Sequence, residues 1–350
     1  MWLLPSGPDQ IGETFARTDL RHGICRFRLA DASGGLLDSV MPLPVLNTFA
    51  GNPLDRAGDR RNDPDWLAEQ ADNPEALAMV LWEGRPLLAT TGTETQLVWL
   101  ALPHARAVAP DRELFLGLWK AAPVFAVEVE GSIDPTAGPL AGLGIFTEMR
   151  EAAAVLSTGD AAMAGTAKSL FDWRRKHAFC AACGVQSETA SGGWKRICPA
   201  CATEHFPRVD PVTIMLPVFE GGAEPKCLLG RQAGWPTGRM SALAGFLEPG
   251  ETIEEGCARE IAEEAGLTVV AVRHHSSQPW PFPSQLMIGL IARVDGDEAR
   301  PDQTELEAVA WLTRDEARAC LKGHHPTIVA PPKFAIARTL LQAWVDGFEV

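Results

Sequence analysis

Residues Gly245 to Leu267 read GFLEPGETIEEGCAREIAEEAGL, seven glutamates with a single arginine. This segment has one economical shape, a turn that feeds a sharply ended helix. Gly250 permits the turn and Gly266 supplies a left-handed cap. Thr252 and Glu255 have capping-box spacing, so the pattern predicts a helix over 252–265. Glu260, Glu263 and Glu264 then fall at i, i+3, i+4 on one face. Like charges so placed cost a helix about 0.2–0.5 kcal/mol per pair. Hard divalent cations such as Mg²⁺ take a few carboxylates plus waters and substrate phosphates. The face offers such a partial shell, and Gly245 lets backbone approach it closely. A solvated Glu-rich helix is the plain alternative, and three glutamates alone leave it ahead.

The chain's 350 residues suit about two domains, and 46% hydrophobic with 22% charged residues is an ordinary globular balance. The formal charge of −14 repels nucleic-acid backbones and argues against non-specific duplex binding as the main role. The opening MWLLPSGPDQ has neither the basic segment nor the apolar run of a signal peptide. The closing DGFEV carries no sorting tripeptide. No apolar run approaches the ~20 residues of a membrane span. The expected location is the cytoplasm, and a disulfide framework is not expected for the 8 cysteines. Four of these are scattered: Cys25, Cys227, Cys257 and Cys320.

Three regions follow along the chain. Up to about residue 140, short apolar runs such as AMVLWEGRPLLAT and QLVWLALP alternate with breaks, and VFAVEVE at 124–130 alternates as a strand. FAGNPLDRAGDRRNDPD reads as an exposed loop. From about 145 an Ala-rich stretch reads as two helices parted at Gly159 and Asp160. Beyond about 210, VTIMLPVF, KCLLGRQ and QLMIGLIARV read as strands, RDEARACL as a short helix, and PPKFAIARTLLQAWV as a proline-started helix. Strands interleaved with helices make this an α/β domain. No internal repeat is visible.

Between these regions lies CAACGVQSETASGGWKRICPAC. Cys180, Cys183, Cys198 and Cys201 form two C-x-x-C knuckles 14 residues apart, close to the usual structural-zinc gap of about 15–20. Four thiolates close a tetrahedral shell and leave no position for chemistry. A redox C-x-x-C would leave the second pair unexplained. Zinc ribbons often touch nucleic acids, but the acidic balance favours a small-domain staple. The basic WRRKH just before it reads as a solvated helix end, with a fold contact or a phosphate as the other uses.

The complete spacing decides the acidic stretch. Gly245, five residues, Glu251, seven residues, then Arg259-Glu260-Ile261-Ala262-Glu263-Glu264-Ala265-Gly266-Leu267 match the Nudix box at every defined position. The sequence resembles Nudix hydrolases, which cleave a nucleoside diphosphate linked to another moiety using Mg²⁺ or Mn²⁺. The resemblance implies metal ligation by Glu260, Glu263 and Glu264 with the Ala244 carbonyl. Glu251 and Arg259 pair to brace the loop-helix-loop, and Ile261 and Leu267 are core.

Ten residues past the box, SQPWPFPSQLM runs from Ser277 to Met287. Three prolines make it stiff and extended. Trp280 and Phe282 beside polar Ser277, Gln278, Ser284 and Gln285 suit a ring-bearing ligand with hydroxyls. A buried proline-rich loop or a polyproline ligand serves equally well on this stretch alone. Next to the box, Ser277–Pro283 resembles the NADH pyrophosphatase signature SQPWPFPxS, with Gln285 where the signature has serine. The resemblance implies substrate contacts from Gln278, Pro279, Trp280, Pro281, Phe282, Pro283, Ser284 and Gln285. It adds Phe246 against nicotinamide, the Ala337 backbone, and Phe206, where relatives often carry tyrosine. It places a further metal-ligand or base glutamate at Glu305, with Glu307 the near rival. The pairs His274/His275 and His324/His325 read as loop or surface residues.

The resemblance thus implies a Nudix α/β/α sandwich (209–350) preceded by a zinc ribbon (176–208) and a Nudix-like α+β N-terminal domain ending in helices (1–175). It implies Mg²⁺- or Mn²⁺-dependent hydrolysis of NAD(H) to NMN(H) and AMP, with Glu263 or Glu305 activating water. Structural Zn²⁺ sits on the four cysteines. It also implies a homodimer, no membrane, and NAD-capped RNA as a further substrate gripped mainly at its cap. Another Nudix activity, on ADP-ribose for example, and a non-enzymatic zinc-ribbon binding module are the alternatives.

Overall fold

The structure is a computed structural model that describes residues 24–30, 36–42, 47–110 and 112–350. The opening residues read above for a leader, and the Cys25 side chain, lie outside the described residues. Two compact units divide the chain, Met1–Val45 and Leu46–Val350. In the first, β1 (Ile24–Ala30) pairs antiparallel with β2 (Leu36–Pro42), Ile24 opposite Pro42.

The second unit holds two sheets and the ribbon. Its first sheet is built from β3 (Leu77–Trp82), β4 (Arg85–Thr91), β5 (Glu94–Leu97), β6 (Trp99–Ala101), β7 (Glu113–Trp119), β8 (Ala122–Val129) and β9 (Ile145–Phe146). β3 and β8 run parallel at its centre, β7 flanks β8, and β4 flanks β3. β6 pairs with β3, while β5 and β9 pair with β4. Val124–Val129 is a strand, as its pattern predicts. Both faces are covered, so it is buried nearly throughout rather than on alternate residues. Met79, Leu81, Val124 and Ala126 face one core, and Ala78, Val80, Phe125 and Val127 face another. Helices α1 (Pro64–Asp72) and α2 (Leu102–Val108) contribute to the second core through Trp66, Leu102 and Ala105. Helices α3 (Met149–Val155) and α4 (Thr158–Lys176) contribute to the first.

The break between α3 and α4 falls at Leu156–Ser157, earlier than the Gly159–Asp160 expected. The Ser157 hydroxyl accepts from the Asp160 amide at 3.1 Å, so the serine caps the helix and places glycine inside its first turn. The loop before α1 is irregular, as expected, but not simply exposed. Phe49 and Leu54 are buried in the first core. The basic end of α4 is a fold contact rather than a solvated end. Arg174 donates to the Glu113 carbonyl at 3.0 Å, and Arg175 pairs with the buried Glu128 at 3.0 Å and with Asp172.

The zinc-ribbon segment forms β10 (Glu188–Ala190), β11 (Lys195–Ile197) and β12 (Glu204–His205) in one small antiparallel sheet. The last sheet contains β13 (Asp210–Phe219), β14 (Lys226–Arg231), β15 (Leu243–Phe246), β16 (Val269–Trp280), β17 (Gln285–Val294) and β18 (Ala308–Thr313). β13 and β17 are its parallel centre, β16 flanks β17, β14 flanks β13, β18 flanks β14, and β15 pairs with β13. Ile214, Leu216 and Val218 pack on one side with α6 (Arg314–Leu321) and α7 (Ile336–Val345). Met215 and Leu243 pack on the other with α5 (Ile253–Ala265) through Cys257, Ile261 and Ala265. Burying one such aliphatic side chain contributes about 1.5–3 kcal/mol. The last helix begins at Ile336, several residues after Pro331–Pro332, so the prolines sit in the preceding loop rather than at its first turn.

The two sheets share one wiring: β3, β4, β6, β7 and β8 correspond in order and pairing to β13, β14, β15, β16 and β17. The repeat that the sequence hides is present in the topology. Hydrophobic faces recur while the residues filling them do not.

Candidate active site

Helix α5 forms as its sequence predicts. Thr252 and Glu255 close the capping box at 3.2 and 2.7 Å, and Gly266 ends the helix at φ +69°. Its apolar residues dock on the sheet, which holds the carboxylate face against the end of β15. Gly245 leaves the Glu260 carboxylate its room. A Cβ on it would lie 1.8 Å from the Glu260 carboxyl carbon, so any side chain would drive that carboxylate away.

Arg259 organises the cluster. It takes Glu251 in a bidentate grip at 2.7 and 3.1 Å and donates to the Phe246 carbonyl at 2.9 Å. Its Nη1 reaches Glu260 at 2.8 Å and Glu263 at 3.0 Å. Glu251 also accepts from the Glu248 amide at 2.6 Å. The guanidinium therefore ties the turn before the helix to the helix itself. The Arg259 hydrogen bonds hold the Glu251 carboxyl below the usual carboxylate range.

Glu260 and Glu264 are 8% and 4% exposed, and the numbers matter because ionised carboxylates are seldom so buried. Burial pushes Glu264 up to about 8, with Glu260 and Glu305 adding repulsion and the Ala244 amide opposing it. Burial also raises Glu260, against the pull of Arg259. The Glu264 Oε2 is buried without a hydrogen-bond partner among the described residues. An orphaned carboxylate oxygen beside two more acids suits a proton or a cation. The donor set is all oxygen, which fits Mg²⁺ or Mn²⁺.

Glu305 and Glu307 are now distinct. Glu307 pairs with Arg231. Glu305 is exposed, repels both Glu260 and Glu264, and no hydrogen bond or ion pair among the described residues engages its carboxylate. Its loop is braced by Asp302, whose carboxylate accepts the amides of Glu305 at 3.0 Å and Leu306 at 2.9 Å. Asp302 was not legible as a site residue, because its role is to shape backbone.

The proline-rich stretch is extended through Trp280 as the end of β16 and then turns. Its rings face partners within the chain. Trp280 and Phe282 meet edge-on at 5.0 Å, both meet Phe49 edge-on, and Trp280 stacks on Phe334 at 5.9 Å. Two residues of this stretch are engaged inside the chain. Gln278 is fully buried. Its amide donates to the Thr48 and Phe334 carbonyls at 2.9 and 2.7 Å and accepts from Ile336 at 2.9 Å. Pro281 is buried, its Cγ beside Gly165 of α4. Both hold the stretch onto the rest of the unit. Ser169 donates to the Pro283 carbonyl at 3.0 Å, and Asp210 donates to the Ser284 carbonyl at 3.0 Å. Pro279 is exposed, and Ser284 and Gln285 are half-buried. Sequence spacing could not reveal Asn47, which donates to Ser276 and to the Ser277 carbonyl, each at 3.0 Å, across some 230 residues.

Phe206 and Phe246, for which core burial was the alternative, are 63% and 52% exposed. Ala337 lies in the first turn of α7 with its methyl in the core, where helix amides have no intrahelical acceptor. His274 and His275 lie in β16 rather than a loop, and His275 packs on Phe348 at 5.0 Å. His325 accepts two amides in the loop after α6.

In the ribbon, Cys180, Cys183, Cys198 and Cys201 bring their sulfurs within 4.8 Å of one another. The Thr203 hydroxyl and amide pull the Cys201 thiol down to about 6. Four converging thiols are a closed zinc shell.

A mixed sheet clasped between helices, with a glycine-floored and arginine-braced carboxylate helix at one end, defines a hydrolase fold of the Nudix type. Residues 209–330 match the NUDIX domain, 75–173 the NADH pyrophosphatase-like rudimentary NUDIX domain, and 175–206 the NADH pyrophosphatase zinc ribbon domain. The chain is 33% identical over 345 residues to the human NAD-capped RNA hydrolase NUDT12, spanning 85% of this chain and 73% of that protein. It is 39% identical over 220 residues to the human mitochondrial NAD(P)H pyrophosphatase NUDT13, spanning 58% and 60%. It is 35% identical over 249 residues to the NAD-capped RNA hydrolase NudC of Mycobacterium bovis, spanning 67% and 76%. The chain belongs to the Nudix hydrolase family, in its zinc-ribbon-bearing NADH pyrophosphatase branch. Among the described residues no helix is long and apolar enough to cross a membrane.

Proposed function

We propose that the protein hydrolyses the pyrophosphate of NAD(H) to NMN(H) and AMP, using Mg²⁺ or Mn²⁺, and acts on the same linkage in NAD-capped RNA. The observation that carries this reading is the buried, unpartnered Glu264 Oε2 beside Glu260 and facing the charge of Glu305. The names of the relatives NUDT12, NUDT13 and NudC support the substrate class.

Glu260, Glu263, Glu264, Glu305 and the Ala244 carbonyl would hold the divalent ion, which when bound neutralises pyrophosphate oxygens and acidifies water. Arg259 fixes Glu260 and Glu263 in place, and Glu251 fixes Arg259. Glu305, free of an ion pair, takes the proton as water adds to one phosphorus and the bridging P–O bond breaks, leaving phosphate monoesters on both products. Glu263 is less suited to that task because Arg259 already holds it. Phe246 offers an exposed face for nicotinamide. Phe206, Pro279, Trp280, Phe282, Pro283, Ser284, Gln285 and the Ala337 amide complete the proposed substrate contacts. Zn²⁺ on the ribbon is structural. The exposed Phe179, Phe206 and Val209 support a homodimer, and free thiols at Cys227, Cys257 and Cys320 fit the cytoplasm.

The test is product analysis after Mg²⁺- or Mn²⁺-dependent digestion, comparing NADH, NAD⁺, ADP-ribose, diadenosine polyphosphates and NAD-capped RNA. NMN(H) and AMP should appear only with metal. NADH ranking among the poorest substrates would overturn the specificity.

A further inference from the structure

The loop that precedes α1 carries Arg56, Arg60 and Arg61, and the ribbon turns its Trp194 toward them. The Arg61 guanidinium lies 4.1 Å from the Trp194 ring centre and that of Arg56 lies 5.2 Å from it. Arg60 sits 4.5 Å from the Trp66 ring. The loop and ribbon are joined at this point. Ser191 donates to Asn62 at 2.6 Å, and Trp194 donates its indole N–H to the Phe115 carbonyl at 2.7 Å. Gly192 and Gly193, both at positive φ, lie against Phe115 and Leu114, where side chains would collide. Trp194 is therefore held in place, and the arginines gather on a fixed platform.

None of the three arginines has an ion pair among the described residues, in a chain with 45 acidic side chains. Arg61 is the telling member. Its Nε and Nη1 are buried without a hydrogen-bond partner. A buried donor left unmade costs about 1–3 kcal/mol, and more when charged. An aromatic face attracts a guanidinium but accepts none of its in-plane N–H bonds. Burial, and then the charge of Arg56, lower the Arg61 pKa, and no carboxylate counters them. Two adjacent cations with spare in-plane donors match an oxyanion that accepts from both.

We propose that Arg56 and Arg61, platformed on Trp194, form a phosphate-binding site at the junction of the ribbon and the N-terminal sheet. Its ligand is a phosphate oxyanion, carried either by the phosphodiester chain of RNA or by a free phosphate compound. The site is built from elements outside the carboxylate cluster, and it stands whether or not NAD(H) is the substrate. A net charge of −14 is an average over the chain and is compatible with a local cationic patch.

The experiment uses the full zinc-loaded chain and two probes, a short fluorescein-labelled single-stranded RNA without a cap and inorganic phosphate at matched ionic strength. The variants are Arg56→Gln, whose side chain is exposed, and Arg61→Gln, with zinc content and melting profile as folding controls. RNA as the ligand predicts about tenfold weaker RNA binding in each variant, and a slope of log K against log salt shallower by about 0.7 per lost contact. A free phosphate as the ligand predicts that phosphate raises the wild-type melting temperature and not that of either variant. NADH hydrolysis is expected to be unchanged by Arg56→Gln. The proposal is overturned if Arg56→Gln, folded and zinc-loaded, binds RNA with wild-type affinity and salt slope and responds to phosphate as the wild type does.

Discussion

The two sheets of the second unit are wired alike, yet only one carries the acidic cluster. Between β15 and β16 stands α5, 13 residues long with Glu260, Glu263 and Glu264 on one face. Between the corresponding β6 and β7 stands α2, 7 residues long, reading LPHARAV without a carboxylate. The N-terminal sandwich puts its charge elsewhere. Glu128 and Asp172 are buried and matched by Arg175 and Lys168. Its buried acids are paired and serve cohesion, while in the second sandwich the single Arg259 is shared by Glu251, Glu260 and Glu263 and leaves the buried Glu264 without a cation, which suits a metal. One wiring therefore supports two uses, and the difference lies in whether each buried carboxylate has a partner.

The contrast can be broken most directly at Glu264. Glu264→Gln should lower kcat about 10³-fold while leaving the melting temperature nearly unchanged. Turnover at the wild-type rate would remove Glu264 from the chemistry. Gly245→Ala should cost about 10²-fold in kcat, because the new methyl displaces the Glu260 carboxylate. A crystal structure of the variant with Glu260 unmoved would refute that cause. In the other sandwich, Arg175→Ala should leave Glu128 unpaired and lower unfolding stability by about 2 kcal/mol, with kcat per folded molecule intact. Urea titration alongside an activity assay separates the two effects.

Acidity sharpens the comparison further. Metal-free Glu264 holds its proton up to about 8, above the ordinary 4.5. The folded state thus binds the extra proton between those values, so this group's contribution to stability falls as pH rises through the window. A divalent ion held at the proposed site would replace that proton, so Mg²⁺ or Mn²⁺ should bind tighter toward pH 8 and release a proton on binding. Calorimetric titration in buffers of different ionisation heat reads both, and pH-independent affinity would contradict it. The smallest effect separates neighbours. Glu305→Gln should slow turnover, whereas Glu307→Gln should change stability by under about 1 kcal/mol through its exposed pair with Arg231 and leave kcat alone.

The carboxylate helix was legible because everything it needs is local. Its cap, its glycines and its i, i+3, i+4 spacing lie within one short segment, and so do the two cysteine knuckles. The proline-rich stretch was legible as extended and stiff, but its partners were not, since Asn47, Phe49 and Gly165 meet it from far along the chain. The same distance hid the internal contacts of Gln278 and Pro281, and it turned the basic end of α4 from a solvated terminus into a clasp.

Residue order alone determined the family resemblance, the acidic face and the four-thiol set, because short-range geometry follows from backbone periodicity. Tertiary structure alone decided that Glu264 is left without a partner, that Glu305 rather than Glu307 is free, and that two unlike sequences share one wiring. Burial and pairing depend on what the rest of the chain brings alongside, and no local pattern encodes that.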